Sequence, residues 1–483
     1  MKSLEQKRKH ASEMYDQGHE AVIAYIVELE TKIEILDERL KIIETRLNQD
    51  SHNSSLPPSS DRFNHYPKNS REKSNRSTGG QKDHIGSTLK MTSTPDTFIV
   101  HPVHKCLRCG CSLKKVEPTH HDIRQVIDIP PMKMIVTEHQ SESKTCPHCG
   151  TRTQAAFPEG VTKSVQYGVN IKTVGVYLMQ YQLLPSNRAV EAIKDLFKCT
   201  IGEGSLFNWA RELSRRTESS YEAIKEHILA SLVAHFDETG IECDTYLHWL
   251  HVACTPDATF LSPHSKRGSE AMEDMGILPL FKGTAVHDMW LSYFMYDCDH
   301  GICDAHIIRE LKFAFEEYKQ LWAQQLEKLL LKMNKTVERC RMSGKTALNP
   351  QTLREYEKFY DKLIVKGLRK NPRLRGSPHK RGRVKQSKVR NLLERLRDYR
   401  DSVLAFVYDF SIPFTNNLAE RDLRMTKVKL KISGCFRSDR GAEVYCRIRS
   451  YISTTKKNGI NAFDAISTAF KGHPFTFKPN YAE

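Results

Sequence analysis

The chain of 483 residues is long enough for roughly two to four domains, and its 74 lysines and arginines against 58 acidic residues give a formal net charge of +16. This charge favours a polyanionic partner, nucleic acid first, because cationic side chains that contact phosphates release bound counterions. The charged N-terminal segment excludes a secretory signal, and no apolar run is long enough to span a bilayer. We therefore expect a cytoplasmic protein without a membrane partner.

Residues 1–50 are expected to form a coiled-coil dimerisation helix, because apolar residues recur at alternating steps of four and three. The a positions are Ile26, Ile33, Leu40 and Leu47, and the d positions are Val22, Leu29, Leu36 and Ile43. In a parallel pair the basic g positions Lys32 and Arg39 would face the acidic e positions Asp37 and Glu44. The alternative is a single amphipathic helix docked on its own protein, but the matched charges favour a homodimer or a larger assembly.

Residues 51–100 are rich in Ser, Asn, Pro and basic residues and contain few large aliphatic side chains. Such a segment cannot bury enough apolar surface to fold, so it is interpreted as a flexible basic linker.

Residues 101–158 are predicted to form a zinc ribbon. In a reducing compartment the thirteen cysteines are not expected to form disulfides, so the ordered spacing in "HKCLRCGC" and "KTCPHCG" favours structural Zn²⁺. The predicted ligands are Cys106, Cys109, Cys146 and Cys149, with Cys111 and His148 as further candidate donors. The segments "IRQVIDI" and "MKMIVTEHQ", joined at two prolines, are expected to form a hairpin between the two knuckles.

Residues 159–228 are predicted to be helical, with one helix in "PSNRAVEAIKDLF" and another in "GEGSLFNWARELSRR". The pair could be a helix-turn-helix that enters a DNA groove, or a plain helical connector. The sequence leaves both interpretations open.

Residues 229–310 are expected to form the first part of a ribonuclease-H-like core, within a multidomain α+β protein. Strands in "SLVAHFDETG", "TYLHWLHVACT" and "ATFLSP" form an antiparallel meander, and a helix from about Ser269 leads to a fourth strand in "GTAVHDMW". Because strand side chains alternate, Asp237 and Glu238 must face opposite sides of the sheet, with His235 on the Asp237 side. His287 likewise points away from Asp288.

The stretch "PFTNNLAERDLRMTKVKLKISG" places Glu420 near the start of a helix. Glu420 could complete a capping box with Asn417 as N-cap, or pair with Arg424 one turn further on. It could also be a metal ligand, because phosphodiester chemistry requires carboxylates around Mg²⁺ ions about 4 Å apart. Asp237, Asp288 and Glu420 would then form one site.

Long motifs along the chain resemble those of the bacterial insertion-sequence sixty-six (IS-sixty-six) family of transposases. These are "NSSLPPSSD", the paired C-x-x-C module, "HFDETG", "GTAVHDMW", "CDAHIIREL" and "NNLAERDLRMTKVKLKISGCFRSDRGAE". The resemblance implies a DDE transposase whose triad falls on Asp237, Asp288 and Glu420 and binds Mg²⁺ or Mn²⁺. It also implies a helical insertion at 311–410, with the second part of the core at 411–455 and a C-terminal tail at 456–483. The chain departs from the family at Met289, where a glycine is common, and at Phe414.

Further residues are expected to support this site or bind DNA. Asn416 and Asn417 would build the turn that aims the helix of Glu420. Cys303 and His306 form a C-x-x-H that related DDE enzymes also carry; it could be half of a metal site or a packing and hydrogen-bonding element. The predicted phosphate-binding residues are Arg421, Arg424 and Lys427 on that helix, and Arg369, Lys370, Lys380, Arg381 and Arg383 in an acid-free basic segment at 366–390.

The expected function is metal-dependent cleavage at the ends of an insertion element, followed by transfer of the freed 3′-OH to target DNA. The partners would be double-stranded DNA, a second copy of the chain and accessory proteins of the same element. Two alternatives are a non-catalytic zinc-ribbon DNA-binding regulator with a degenerate nuclease fold, and a nuclease that hydrolyses DNA without strand transfer.

Overall fold

The computed structural model describes residues 4–47, 49, 53, 89–130, 132–374 and 384–477. The chain divides into two compact units: residues 1–68, 163–191 and 201–483 form one, and residues 69–162 and 192–200 form the other. Most of the expected linker at 51–100 lies outside the described residues, as do Lys380, Arg381 and Arg383.

The N-terminal segment forms two helices, α1 (Leu4–Asp16) and α2 (His19–Leu47), where a single helix was expected over 1–50. The chain is interrupted at Gln17 and Gly18, before the first heptad, so α2 carries the whole predicted seam. The seam side chains that are exposed in the single chain are Ile26, Leu29, Ile33, Leu36, Leu40 and Ile43. This stripe of exposed aliphatic groups is what the heptad pattern predicts for a helix without its partner.

The smaller unit contains both C-x-x-C segments and one short hairpin, formed by β1 (Ser143–Thr145) and β2 (Arg152–Gln154) around the second of them. The hairpin predicted from "IRQVIDI" and "MKMIVTEHQ" is wrong, because the described residues there form no strand. Their aliphatic side chains, such as Val126 and Val136, are exposed. The alternation in sequence indicated a half-buried ribbon, but the described residues leave these side chains exposed, and an isolated two-stranded hairpin is marginal in water.

A group of helices precedes the sheet: α3 (Val169–Val176), a π-helical turn (Tyr177–Tyr181), α4 (Ser186–Phe197), α5 (Glu203–Arg216) and α6 (Glu218–Leu229). The apolar face of α5 buries Leu206, Trp209 and Leu213. At the crossing of α3 and α5 the backbone of Gly175 lies so close to α5 that a β-carbon would be 2.7 Å from Leu206 and 2.8 Å from Trp209. The large apolar side chains of α5 are therefore used for packing inside the protein.

The central sheet has five strands: β3 (Val233–Cys243), β4 (Tyr246–Cys254), β5 (Thr259–His264), β6 (Thr284–His287) and β7 (Asp299–Ile302). Their spatial order is β5-β4-β3-β6-β7. The first three strands pair antiparallel, as the sequence predicted, and β6 and β7 run parallel to β3. The short helix α7 (Ser269–Met275) precedes β6, and a 3₁₀ turn (Tyr293–Met295) follows it.

Alternate residues of β3 pack into different cores, so the predicted parity is confirmed. Phe236 lies in a cluster with Phe281 and Tyr293 on one side of the sheet. Ile241 and Cys243 lie in another cluster on the opposite side. Because odd-numbered positions of β3 share this second side, Asp237 faces it and Glu238 faces the first.

Between β7 and residue 410 the described residues form the helices α8 (Asp304–Tyr318), α9 (Leu321–Met342), α10 (Pro350–Lys370), α11 (Lys388–Asp398), α12 (Arg400–Val403) and α13 (Ala405–Tyr408). They share one apolar core centred on buried side chains such as Trp322, Tyr360 and Leu393. The two ends of this helical excursion meet at the sheet. Asp304 N donates to Phe414 O over 3.1 Å, and Asn416 N donates to Cys303 Sγ over 3.1 Å.

Three helices complete the chain: α14 (Asn417–Ser433), α15 (Asp439–Lys457) and α16 (Ala462–Phe470). α14 packs on β3 and β4, and α15 packs on β5. The expected C-terminal tail is wrong for its first part, because α16 buries Ala465, Ile466 and Phe470. Within the described part of the chain, no helix combines the length and apolar character that would let it cross a bilayer.

Candidate active site and zinc module

Asp237 and Asp288 are brought to the same level of the sheet by the parallel pairing of β3 and β6. His235 is paired with Val286, so two residues further along each chain come Asp237 and Asp288. Asp288 follows the last residue of β6. A two-residue step preserves the side to which a strand side chain points, so the register favours placing both acids on the side covered by α14.

The electrostatics of Asp237 favour a grouping of the acids. Burial raises the pKa of the Asp237 carboxyl well above its usual value, and the negative charges of Glu238, Asp288 and Glu420 raise it further. A hydrogen bond from the backbone N–H of Glu238 to Asp237 Oδ1, 2.9 Å long, acts in the opposite direction. Several carboxylates in a poorly hydrated place favour either protonation or a bound cation.

Glu420 lies in the first turn of α14, and its Oε1 is buried without a hydrogen-bond partner among the described residues. The Cys303 thiol, a ring nitrogen of His306 and a Glu420 carboxylate oxygen all lie within 4.8 Å of one another. His306 Nδ1 is likewise buried without a partner in the described chain. The C-x-x-H motif provides two candidate metal ligands, and Glu420 of α14 adds a third.

Asn416 joins α14 to the sheet. Its Oδ1 is 2.8 Å from His235 Nδ1, and its Nδ2 donates to Phe236 O over 2.7 Å. With an amide oxygen as acceptor, His235 carries its proton on Nδ1. Burial lowers the pKa of His235, so the ring stays neutral.

Two structural interpretations of the start of α14 are wrong. The N-cap is Asn416 and not Asn417, and Asn416 makes no side-chain cap because its amide bonds to β3 instead. The ion pair between Glu420 and Arg424 is absent from the described residues, and Glu420 Oε1 accepts no hydrogen bond there. Asn417 is exposed at the first helical position.

Glu238, on the other side of the sheet, is held in a network that the sequence did not reveal. Arg267 Nη2 donates to Glu238 Oε1 over 2.7 Å, and Tyr293 OH donates to Oε2 over 2.5 Å. The Arg267 guanidinium lies 4.8 Å from the ring centre of Trp249 and 4.3 Å from that of Trp290. Burial raises the pKa of Glu238, Asp288 raises it further, and Tyr293 and Arg267 lower it. Only strand parity signalled a separate role for Glu238.

The expected phosphate-binding residues of α14, namely Arg421, Arg424 and Lys427, are all exposed. Lys427 Nζ donates to Gly240 O over 2.9 Å. Burial lowers the pKa of Lys427 and the charge of Asp237 raises it, so this cation lies close to the acidic site. Arg369 and Lys370 are exposed at the end of α10.

Asp422, also on α14, makes its hydrogen bonds to other elements of the protein. It accepts hydrogen bonds of 2.8 Å from both Lys457 Nζ and Thr259 Oγ1. Asp422 thereby ties α14 to α15 and β5.

The residue after the second predicted acid departs from the family in a way that the backbone explains. Met289 has a φ of +71°. Positive φ is strained for a side chain with a β-carbon and free of strain for glycine, which accounts for the glycine common at this position. The Met289 side chain is buried with the helices that follow β7.

The two C-x-x-C knuckles have the same local geometry. Gly110 N donates to Cys106 O over 3.0 Å, and Gly150 N donates to Cys146 O over 2.9 Å. Hydrogen bonds lower the pKa of Cys106, chiefly from the backbone of Cys109, and that of Cys149, chiefly from the side chain of Thr151. Turns that donate N–H groups toward thiolates suit the tetrathiolate coordination of zinc. Among the described residues, donors from the two knuckles do not gather into one cluster.

Three family models match parts of the chain. A family model described as "Transposase IS66 family" matches residues 164–444, and one described as "zinc-finger binding domain of transposase IS66" matches residues 104–150. A "Family of unknown function (DUF6444)" matches residues 7–90. A search of curated proteins finds no match.

The larger match covers more than half of the chain and includes the sheet, the helical excursion and α14. The protein is thus of the transposase class and carries a zinc-finger domain. The chain belongs to the IS66 family of transposases.

Proposed function

We propose that this chain is a DDE-type transposase with a ribonuclease-H-like core, which cleaves DNA at the ends of its insertion element and transfers the strands to target DNA. The observation that carries the proposal is the β3–β6 register, which sets Asp237 and Asp288 at the same level of the sheet. The charges of Asp288 and Glu420 support it, because they add to burial in raising the pKa of Asp237. The sheet order β5-β4-β3-β6-β7, with a meander followed by parallel strands, supports the ribonuclease-H-like assignment.

The donor set suits Mg²⁺ or Mn²⁺, because both prefer carboxylate oxygens. The buried Glu420 Oε1 without a hydrogen-bond partner, and the raised pKa of Asp237, support a cation beside these groups. Asp237, Asp288 and Glu420 would hold it. Divalent cations in such sites supply Lewis-acid stabilisation of the attacking and leaving oxygens of a phosphodiester.

The other residues of the site would position rather than react. Asn416 fixes the start of α14 against β3, and Cys303 and His306 border Glu420. Arg421, Arg424 and Lys427 would bind phosphates beside the scissile bond, with Arg369, Lys370 and the basic segment beyond them gripping the backbone further away. Water would attack at the element end and leave a 3′-OH, which then attacks target DNA without a covalent protein intermediate.

The remaining segments would hold the complex together and direct it to the element ends. Cys106, Cys109, Cys146 and Cys149 would bind structural Zn²⁺, and this module together with the helices at 159–228 would recognise the element ends. Pairing of α2 between two protomers would bring both ends together in the cytoplasm, with accessory proteins of the element as further partners.

Substitution of the three acids tests the proposal. We expect Asp237→Asn, Asp288→Asn and Glu420→Gln each to lower the rate of Mg²⁺-dependent cleavage of an element-end duplex by at least about 100-fold, because each removes a charged ligand. Retardation of the same duplex in a gel should be unchanged. Glu242→Gln is the matched control, because Glu242 is an exposed acid of β3, the strand that carries Asp237. This variant should cleave normally.

Loss of DNA binding in all three variants would assign the acids a structural role and contradict the proposal. Nicking by the wild-type chain excludes the non-catalytic regulator. Joined products with short target duplications exclude a nuclease that only hydrolyses.

A further inference from the structure

A second cluster of metal-binding side chains lies at the end of the β3–β4 hairpin, six residues along β3 from Asp237. Cys243 is the last residue of β3, His248 lies in β4, and Asp439 is the first residue of α15. One donor atom from each lies within 4.8 Å of the other two. Cys243 is buried, whereas the Asp439 side chain is 74% exposed.

The strand register brings Cys243 and His248 together. Cys243 is paired with Tyr246 and Ile241 with His248, so Cys243 and His248 are diagonal neighbours on one side of the hairpin. The segment between α14 and α15 is fixed against the same hairpin by two backbone hydrogen bonds. Phe436 N donates to Glu242 O over 2.8 Å, and Asp244 N donates to Phe436 O over 2.9 Å.

Asp439 is aimed at the pair by the start of α15. Ser438 is the N-cap of this helix, and its Oγ accepts from Gly441 N. Asp439 Oδ1 is 3.3 Å from His248 Nδ1 and 3.4 Å from Cys243 Sγ. The two strands of one hairpin and a helix much further along the chain thus present sulfur, nitrogen and oxygen to one another.

The two separations from Asp439 Oδ1 match edges of a zinc tetrahedron. Zinc–ligand distances of about 2.3 Å to sulfur and about 2.0–2.2 Å to nitrogen or oxygen give edges of about 3.4 Å between N and O and about 3.6 Å between S and O. A thiolate, an imidazole and a carboxylate suit Zn²⁺, whereas sulfur is a poor ligand for Mg²⁺. The exposed side of Asp439 leaves the fourth position to water.

We propose that Cys243, His248 and Asp439 bind one zinc ion, separate from the cysteine knuckles and from the carboxylate site. The ion fastens the N-terminus of α15 to the β3–β4 hairpin. Because α14 and α15 flank this junction, zinc stabilises the layer of helices on which Glu420 is carried. Binding at this site does not depend on the catalytic function proposed above.

The experiment measures zinc bound by the full chain in a Cys106→Ala/Cys109→Ala/Cys146→Ala/Cys149→Ala background, so that the knuckles do not contribute. We expect this protein to retain one equivalent of zinc after gel filtration. We also expect cobalt, substituted for zinc, to give the absorption bands of a tetrahedral site with a thiolate ligand. Adding Asp439→Asn should weaken zinc binding at least about tenfold, a change of about 1.4 kcal/mol. Because Asp439 is mostly exposed, its substitution should not prevent folding.

Two further variants separate coordination from packing. Cys243→Ala should abolish the thiolate–cobalt band, and Cys199→Ser, at a cysteine outside the cluster, should leave zinc binding and the cobalt spectrum unchanged. The proposal is overturned if the background protein binds no zinc, or if Asp439→Asn binds zinc as tightly as its parent. A thermal transition that zinc raises equally in parent and Asp439→Asn would also overturn it.

Discussion

Asn416 shows how one buried side chain can fix the start of a helix against a strand. Its amide bonds to His235 and Phe236 in β3, and its backbone N–H bonds to Cys303. The side chain is almost fully buried, so these bonds form where water is excluded. Asn416 therefore holds the start of α14, which carries Glu420, directly against the strand that carries Asp237.

We predict that Asn416→Ala lowers the free energy of unfolding by about 2–4 kcal/mol, because His235 Nδ1 and Phe236 O are left buried without partners. Urea denaturation followed by circular dichroism measures the change. Asn417→Ala, one residue along on the exposed side of α14, is the control and should change stability by less than about 0.5 kcal/mol. Equal effects of the two substitutions would contradict this role for Asn416.

The burial of His251 predicts that the free energy of unfolding depends on pH. His251 is buried in β4, and burial together with the charges of His264 and Arg267 lowers its pKa from 6.5 to about 4. Below pH 6.5 the unfolded chain binds a proton on this histidine that the folded chain does not bind. Stability from this residue is therefore complete above pH 6.5, decreases as the pH falls toward 4, and changes little below that.

His251→Gln should accordingly make the free energy of unfolding less dependent on pH between 6.5 and 4, by about 3 kcal/mol over that range. Urea denaturation at several pH values measures the slopes. Above pH 6.5 the curves for wild type and variant should run parallel, which serves as the internal control. Identical slopes below pH 6.5 would show that burial does not exclude the proton.

At the scale of elements, close approach of helices decides which glycines can be replaced. Gly175 in α3 meets Leu206 and Trp209 of α5, whereas Gly204 in α5 has open space where its β-carbon would be. We expect Gly175→Ala to destabilise the protein by about 1–3 kcal/mol through overpacking. Gly204→Ala is the matched control and should be neutral or stabilising by up to about 1 kcal/mol, since alanine favours helix. Thermal unfolding measures both, and a stabilising Gly175→Ala would contradict this packing of α3 on α5.

Sequence patterns predicted elements best where period and packing agreed. The meander β3–β5 and β6 follow from alternating apolar residues, and strand parity separated Asp237 from Glu238. The hairpin predicted between the knuckles is wrong because its apolar side chains stay exposed in the described residues. The helix α16 was missed because the segment after α15 was interpreted as a tail. Arg267 and Tyr293 could not be predicted around Glu238, since no local pattern indicates which distant side chains meet a buried carboxylate.

At the scale of the whole molecule, the exposed seam of α2 predicts self-association. Leu36→Asp places a charge at a d position, so we expect it to convert the dimer to a monomer while leaving the folded core intact. Sedimentation equilibrium measures the mass, and circular dichroism of the same samples monitors folding. Glu34→Gln, at an outward position of the same helix, should stay dimeric. A wild-type chain that is monomeric at micromolar concentration would contradict the prediction.

The helices from α8 to α13 separate the second and third predicted acids in the order in which the chain is synthesised. Glu420 follows Asp288 by 132 residues, because the helices from α8 to α13 are translated between them (420 − 288 = 132). At about 5–20 residues per second, a ribosome delays the last carboxylate by roughly 7–26 s after the second. Throughout that interval the nascent polypeptide carries the five strands without α14, so the sheet can begin to fold before the helix that packs on it has been synthesised.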